Sequence, residues 1–257
     1  AISTREASFD VASMAKTSTK VFVLEVMGRH AGWIAAAGGM AADNDHDIPI
    51  LILFPEVPFN RRRFMAAVKQ KVKIHGYCSV VVSEGLRDPQ GRFLSDQGLR
   101  DAFGHAQLGG VASVISTMVK DDLGLKYHYA VADYLQRSAR HIASQTDVSQ
   151  AYAVGQAAVE LALQGKNAIM PSIVRTSNKP YRWRIGEAKL SRVANREKMM
   201  PASFITRDGF GSTQRCRTYL EPLIKGEDYP PYRNGLPRYV RLKNTAVPKK
   251  LKTPFAL

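Results

Sequence analysis

A doubly wound α/β sandwich built on a parallel sheet is the fold this sequence predicts, and three observations predict it. Strand-like β-branched runs alternate with helical stretches at 21–26, 33–43, 50–54, 61–74 and 78–83. The run Val80-Val81-Val82 is apolar without alternation, as a strand buried on both faces reads, and parallel strands of that kind need helical crossovers. With 257 residues, 45% of them hydrophobic, the chain can bury the core of one large α/β domain or two smaller ones.

The elements follow in order. After Ser83 comes a polar loop, 85–98, containing the turn-favouring Asp88-Pro89-Gln90-Gly91. A helix over 111–120 stops at Leu123-Gly124, where glycine takes the left-handed cap, and a strand over 127–131 follows. The longest helix starts near Asp147, with Thr146 or Asp147 as its cap. It carries Val148, Ala151, Tyr152, Gly155, Ala158, Val159 and Ala162 on one face before Gly165, and leads into a strand over 167–174. Beyond Val174 the composition shifts toward Arg, Lys, Pro and Tyr, with turns at Pro230-Pro231 and Asn234-Gly235, and this reads as a basic appendage. There is no internal repeat.

Bulk properties narrow the function classes. The longest apolar run, 48–54, falls far short of the roughly 20 residues that cross a bilayer. No charged-then-apolar leader is seen, and Cys78 and Cys216 are the only cysteines, so a reducing cytoplasm is expected, with one disulfide left open. The net charge of +15 suits nucleic acid or small anionic substrates. Because the basic residues spread over 61–63, 69–73, 182–196 and 243–252 without regularly placed aromatics, solvated faces are the expectation and nucleic acid is not. The acidic run Asp43-Asn44-Asp45-His46-Asp47 lacks a calcium-loop pattern and reads as a solvated turn. Residues 103–110 read as a helix entry with structural glycines.

The sharpest local signal is Glu25-Val26-Met27-Gly28-Arg29-His30-Ala31-Gly32-Trp33, where a strand ends and a helix begins. In an open α/β sheet that is the ligand crevice. Gly28 and Gly32 let backbone approach a ligand, and Arg29 can fork onto a phosphoryl oxygen. Tight strand-to-helix packing beside a surface arginine explains the same spacing. Glu84 stands just past the buried strand 78–83, where a carboxylate can accept sugar hydroxyls or cap a loop.

The segment Val23-Leu24-Glu25-Val26-Met27-Gly28-Arg29, followed by a small-residue helix, resembles the Met-Gly-Arg segment of the phosphofructokinase family. The resemblance implies that Met27, Gly28 and Arg29 contact fructose 6-phosphate and that Arg29 is catalytic, stabilising the phosphoryl group in flight. It makes Glu84 a sugar ligand. Tyr134-Leu135-Gln136-Arg137 resembles the family's strand-end motif, with Tyr134 and Arg137 on the 6-phosphate; ATP-dependent members usually carry His-Ile-Gln-Arg-Gly-Gly there. That departure, and the tail from Gly186 with Met200-Pro201-Ala202-Ser203-Phe204 and Asp208-Gly209-Phe210-Gly211, resembles the diphosphate-dependent branch. Lys20 and His128 stand where the family's basic residues reach the neighbouring subunit's site, although Lys20 also suits an ordinary strand-edge charge. A homodimer is thereby implied.

The implied fold is a Rossmann-like sandwich of the phosphofructokinase type with a basic carboxy-terminal extension. It divides into a fructose-6-phosphate-binding domain at 1–137, a long helix and strand returning to the donor side at 138–185, and the extension at 186–257. The chain opens on Ala1 without an initiating methionine, which suggests truncation or processing. The family's Gly-Gly-Asp donor loop and the Thr-Ile-Asp-x-Asp segment with its general base do not occur in it. The complete protein is expected to move a phosphoryl group from diphosphate to the 1-hydroxyl of fructose 6-phosphate, with Mg²⁺ held by the missing amino-terminal part. This chain alone is expected to be inactive. The alternatives are an ATP-dependent phosphofructokinase and a non-catalytic regulatory subunit that binds sugar phosphates.

Overall fold

The computed structural model describes residues 1–43, 45–95 and 110–248. In chain order the elements are α1 (Ile2–Met14), β1 (Val21–Val26), α2 (Trp33–Gly38), β2 (Ile50–Leu53), α3 (Arg61–His75), β3 (Cys78–Ser83), α4 (Val111–Leu123), β4 (Tyr127–Val131), α5 (Asp133–Arg137), α6 (Gln145–Leu163), β5 (Ile169–Asn178), β6 (Tyr181–Lys189), α7 (Leu190–Val193), α8 (Gln214–Leu220) and the short hairpin β7 (Tyr232–Arg233) and β8 (Leu236–Pro237).

β1 to β4 form one parallel sheet in the order β2-β3-β1-β4. Alternate side chains feed two layers, as the two-residue period of a strand dictates. Val21, Val23, Leu51, Leu53, Val80 and Val82 pack with Phe64, Val68, Val111 and Ile115 of α3 and α4. Leu24, Val26, Ile52 and Val81 pack on the opposite face with Ala35 and Ala36 of α2. α1 lies on that second face, where Ser8 and Ser79 share a buried hydroxyl hydrogen bond of 2.7 Å.

Helix boundaries have local causes. The Asn60 side chain accepts from the Arg63 amide at 3.0 Å and starts α3, and Gly76, at φ 85°, ends it. The register aligns Val26 with Ser83 and Glu25 with Val131, so the carboxyl ends of β1, β3 and β4 lie level. That edge of the sheet is where the crevice forms.

Three expectations need correction. α6 begins at Gln145, because the Ser144 hydroxyl accepts from the Asp147 amide at 3.1 Å and acts as the cap in place of Thr146 or Asp147. The apolar face read along that helix is largely exposed, with Tyr152 76% and Val159 62% exposed, while Gln150 and Ala157 are the buried residues. The strand expected at 167–174 is β5, longer than expected and one arm of the β5–β6 antiparallel hairpin.

The carboxy-terminal region is also more than a basic appendage. Met200, Cys216 and Leu220 are buried in the core layer with α2, and the Phe210 carbonyl accepts from the Ile52 amide at 2.9 Å along the outer edge of β2. Both cysteines are free and buried, and burial pushes the Cys78 thiol up to about 12 and the Cys216 thiol up to about 11. No helix among the described residues is long and apolar enough to cross a membrane.

Candidate active site

The loop from Met27 to Gly32 leaves the end of β1 and is held by residues from the other strand ends. The Gln136 side-chain oxygen accepts from the Met27 amide at 2.7 Å. Glu84 accepts from the Gly28 amide at 3.0 Å, and the Ser83 hydroxyl donates to the Gly28 carbonyl. At the far end of the loop Glu56, two residues past Phe54, accepts from the Gly32 amide at 3.0 and 3.2 Å.

The glycines have steric reasons. Gly28 sits at φ 144°, and a Cβ there would lie 2.7 Å from both the Ala31 carbonyl oxygen and the Ser83 hydroxyl. A Cβ on Gly85 would lie 1.8 Å from the Arg29 carbonyl oxygen. The turn after β3 therefore presses directly on the backbone of the Arg29 loop.

One carboxylate braces the site from behind. Glu25 is 2% exposed and accepts from the Gly110 amide at 3.1 Å and the Ala112 amide at 2.9 Å, capping α4 in trans, while its carbonyl accepts from the Ala132 amide at 3.0 Å. Burial raises its pKa; the two amides act in the opposite sense, and the charges of Glu84 and Asp133 add to the rise.

Met27, Gly28, Arg29, Glu84, Gln136 and Arg137 are thus gathered at one edge of the sheet. Arg29 is half-buried and has no ion-pair partner among the described residues. Arg137 is exposed, with its guanidinium 5.2 Å from the Tyr134 ring centroid. Tyr134 and Leu135 are 69% and 74% exposed. An anion bound at this edge would find guanidinium side chains, the groups that pair best with a phosphate, beside the Glu84 carboxylate.

Lys20 and His128 lie apart. Lys20 precedes β1 and donates to the Ala15 carbonyl; at about 3.3 Å per strand residue it stands roughly 20 Å from Met27. His128 is exposed on β4, level with Phe22. Neither joins Arg29 within one chain. Asp43 closes its turn on the amides of Asp45 and His46 and meets Arg5 at 2.5 Å, which holds its carboxyl well below the usual range. Residues 103–109 lie outside the described residues; Gly110, at φ 86°, stands at the start of α4.

Sequence reasoning missed Glu56, Gly85 and the capping role of Glu25. The signal for Glu56 was available: it follows the end of β2 as Glu84 follows the end of β3. Glu25 looked like part of the ligand motif, and only the fold turns it toward α4.

A comparison with protein families decides the lineage: the model described as phosphofructokinase matches residues 3–162. The chain belongs to the phosphofructokinase family. It is similar over its whole length, at 66% identity, to a pyrophosphate--fructose 6-phosphate 1-phosphotransferase of Methylococcus capsulatus, of which it spans 61%. It is 62% identical to the protein of that name from Halomonas elongata, covering 98% of this chain and 60% of the relative. Among solved structures, a pyrophosphate-dependent phosphofructokinase from Nitrosospira multiformis superposes with a TM-score of 0.87 at 64% identity, over 97% of this chain and 59% of that one. The chain thus spans about three fifths of the length of the relatives it matches. All three of these relatives carry names that mark them as pyrophosphate-dependent.

Proposed function

We propose that the complete protein transfers a phosphoryl group from diphosphate to the 1-hydroxyl of fructose 6-phosphate, giving fructose 1,6-bisphosphate and phosphate. This chain supplies the sugar-phosphate site. The observation that carries the reading is the Met27–Gly32 loop, fixed by Gln136 and Glu84 at the carboxyl edge of the sheet, where neither Arg29 nor Arg137 has an ion-pair partner among the described residues. Arg137, with Tyr134, holds the 6-phosphate; the second oxygen of Glu84 accepts sugar hydroxyls; Arg29 neutralises charge on the phosphoryl group as it moves. Phosphoryl transfer is mostly positioning and charge neutralisation, so these contacts bear on rate as well as affinity.

Diphosphate is preferred to ATP because the named relatives use it and because Tyr134 to Arg137 and the extension resemble that branch. Among the described residues no group of three or more His, Cys, Asp or Glu side chains is placed to hold a metal such as the family's Mg²⁺. Its ligands, the general base and the donor loop belong to a part of the protein outside this chain. On this reading 1–137 binds sugar phosphate, 138–185 leads back to the donor side and 186–257 is the branch-specific extension. Lys20 and His128 act on the neighbouring site of a homodimer, and the protein works in a reducing cytoplasm, in keeping with two free cysteines.

The test is steady-state kinetics of the complete protein with diphosphate and with ATP. Arg29→Ala is expected to lower kcat about 100-fold or more, and Arg137→Ala to raise the KM for fructose 6-phosphate roughly 30-fold. Turnover with ATP alone reverses the donor; an Arg29→Ala variant with unchanged kcat removes the assigned role.

A further inference from the structure

The Arg29 loop is held on a second flank by a part of the chain far away in sequence. Glu56 accepts not only from Gly32 but also from the Met200 amide at 3.1 Å, and Met200 is 4% exposed. The Trp33 indole N–H donates to the Lys198 carbonyl at 2.7 Å, while the Lys198 ammonium lies 5.7 Å from the Trp33 ring centroid. His30 meets the Glu197 carboxylate. Residues 197–200 therefore cross the outside of the loop, attached at His30, Gly32 and Trp33. None of these attachments uses the Arg29 guanidinium.

With Gly28 tied to Glu84 on one side of Arg29 and His30 tied to Glu197 on the other, the base of the arginine has little freedom. We infer that residues 197–200, bolted through Glu56, are a strap that preorganises the Arg29 loop, and that Glu56 is a positioning residue for sugar-phosphate binding. This deepens the proposed function and rests on it for the identity of the ligand, though not for the strap itself. The chemistry is that of a two-amide clamp. Without the Glu56 carboxylate the Gly32 and Met200 amides lose their acceptor, and the loop must be ordered anew each time an anion binds. A glutamine at 56 keeps one acceptor oxygen and can serve both amides, because both now approach the same oxygen.

The experiment compares the complete wild-type protein with its Glu56→Ala and Glu56→Gln variants by two readouts. Amide hydrogen exchange over residues 27–33 is expected to quicken about tenfold in Glu56→Ala, with residues 78–83 unchanged, and to return toward wild type in Glu56→Gln. The KM for fructose 6-phosphate is expected to rise about tenfold in Glu56→Ala, with the KM for diphosphate within about twofold, and Glu56→Gln restores it. Unchanged exchange over 27–33 overturns the strap. Faster exchange with an unchanged sugar-phosphate KM, an equal rise in both KM values, or no rescue by Glu56→Gln overturns the positioning role. Were Glu56→Ala not to fold, Trp33→Phe, which deletes the indole donor and keeps a ring, carries the same readouts with an expected change of about threefold. A wild-type protein that turns over no fructose 6-phosphate refutes the proposed function, and the exchange comparison still decides the strap.

Discussion

A methyl group at position 85 would put its carbon 1.8 Å from the Arg29 carbonyl oxygen and 2.7 Å from that of Gly28. Backbone on both sides cannot yield cheaply, so Gly85→Ala is expected to displace the Arg29 loop and weaken fructose 6-phosphate binding by the complete protein about 100-fold, as calorimetric titration would measure. Glu25 makes a different forecast. Its folded pKa is raised above the ordinary 4.5, so between those two values the native state holds a proton that the unfolded chain has released. Stability is therefore expected to fall as pH rises from about 4.5 through the raised value. Glu25→Gln removes that portion of the slope, as denaturant midpoints across a pH series would record. The residue scale was only partly legible in the sequence. Met27, Gly28, Arg29 and Glu84 could be picked by strand-end position, but Glu25 sits two residues before Met27, and nothing in that spacing says that its carboxylate turns toward a helix beginning 86 residues later.

At the scale of elements, the parallel strands were readable because their apolar runs leave no other pairing, and β1, β3 and β4 fall where expected. α1 was not read. Its buried residues are Thr4, Ser8 and Val11, and small polar side chains packed against a sheet leave no apolar period to detect. The β5–β6 hairpin hid behind charge: Arg182 and Arg184 are exposed while Trp183 between them is half-buried, a two-residue alternation that looks like a basic run when only charge is counted. Caps were ambiguous where several suitable residues adjoin, as Ser144, Thr146 and Asp147 do, and the hydroxyl that reaches the third amide wins. Asn60 has no such rival. Asn60→Ala is expected to cost about 1 kcal/mol of stability, measured by chemical denaturation, because the Arg63 amide loses its acceptor.

For the molecule as a whole, the extension belongs to the core rather than to the periphery, since Met200, Cys216 and Leu220 share a layer with Leu24 and Phe54. The sequence concealed this because basic residues dominate the region's composition while its few apolar ones are irregularly spaced. The 257-residue chain by itself is expected to bind fructose 6-phosphate and to show no turnover with diphosphate and Mg²⁺; appreciable product formation would contradict the placement of base and donor loop outside it.

The contact between Phe210 and Ile52 has one more consequence. By occupying a ladder amide at the β2 margin, it makes the two sides of the sheet unequal, because among the described residues nothing pairs with the far side of β4. A fifth strand would have to dock beside β4, the strand that runs into Arg137, so growth of the sheet in that direction would bring foreign backbone to the Arg137 end of the crevice.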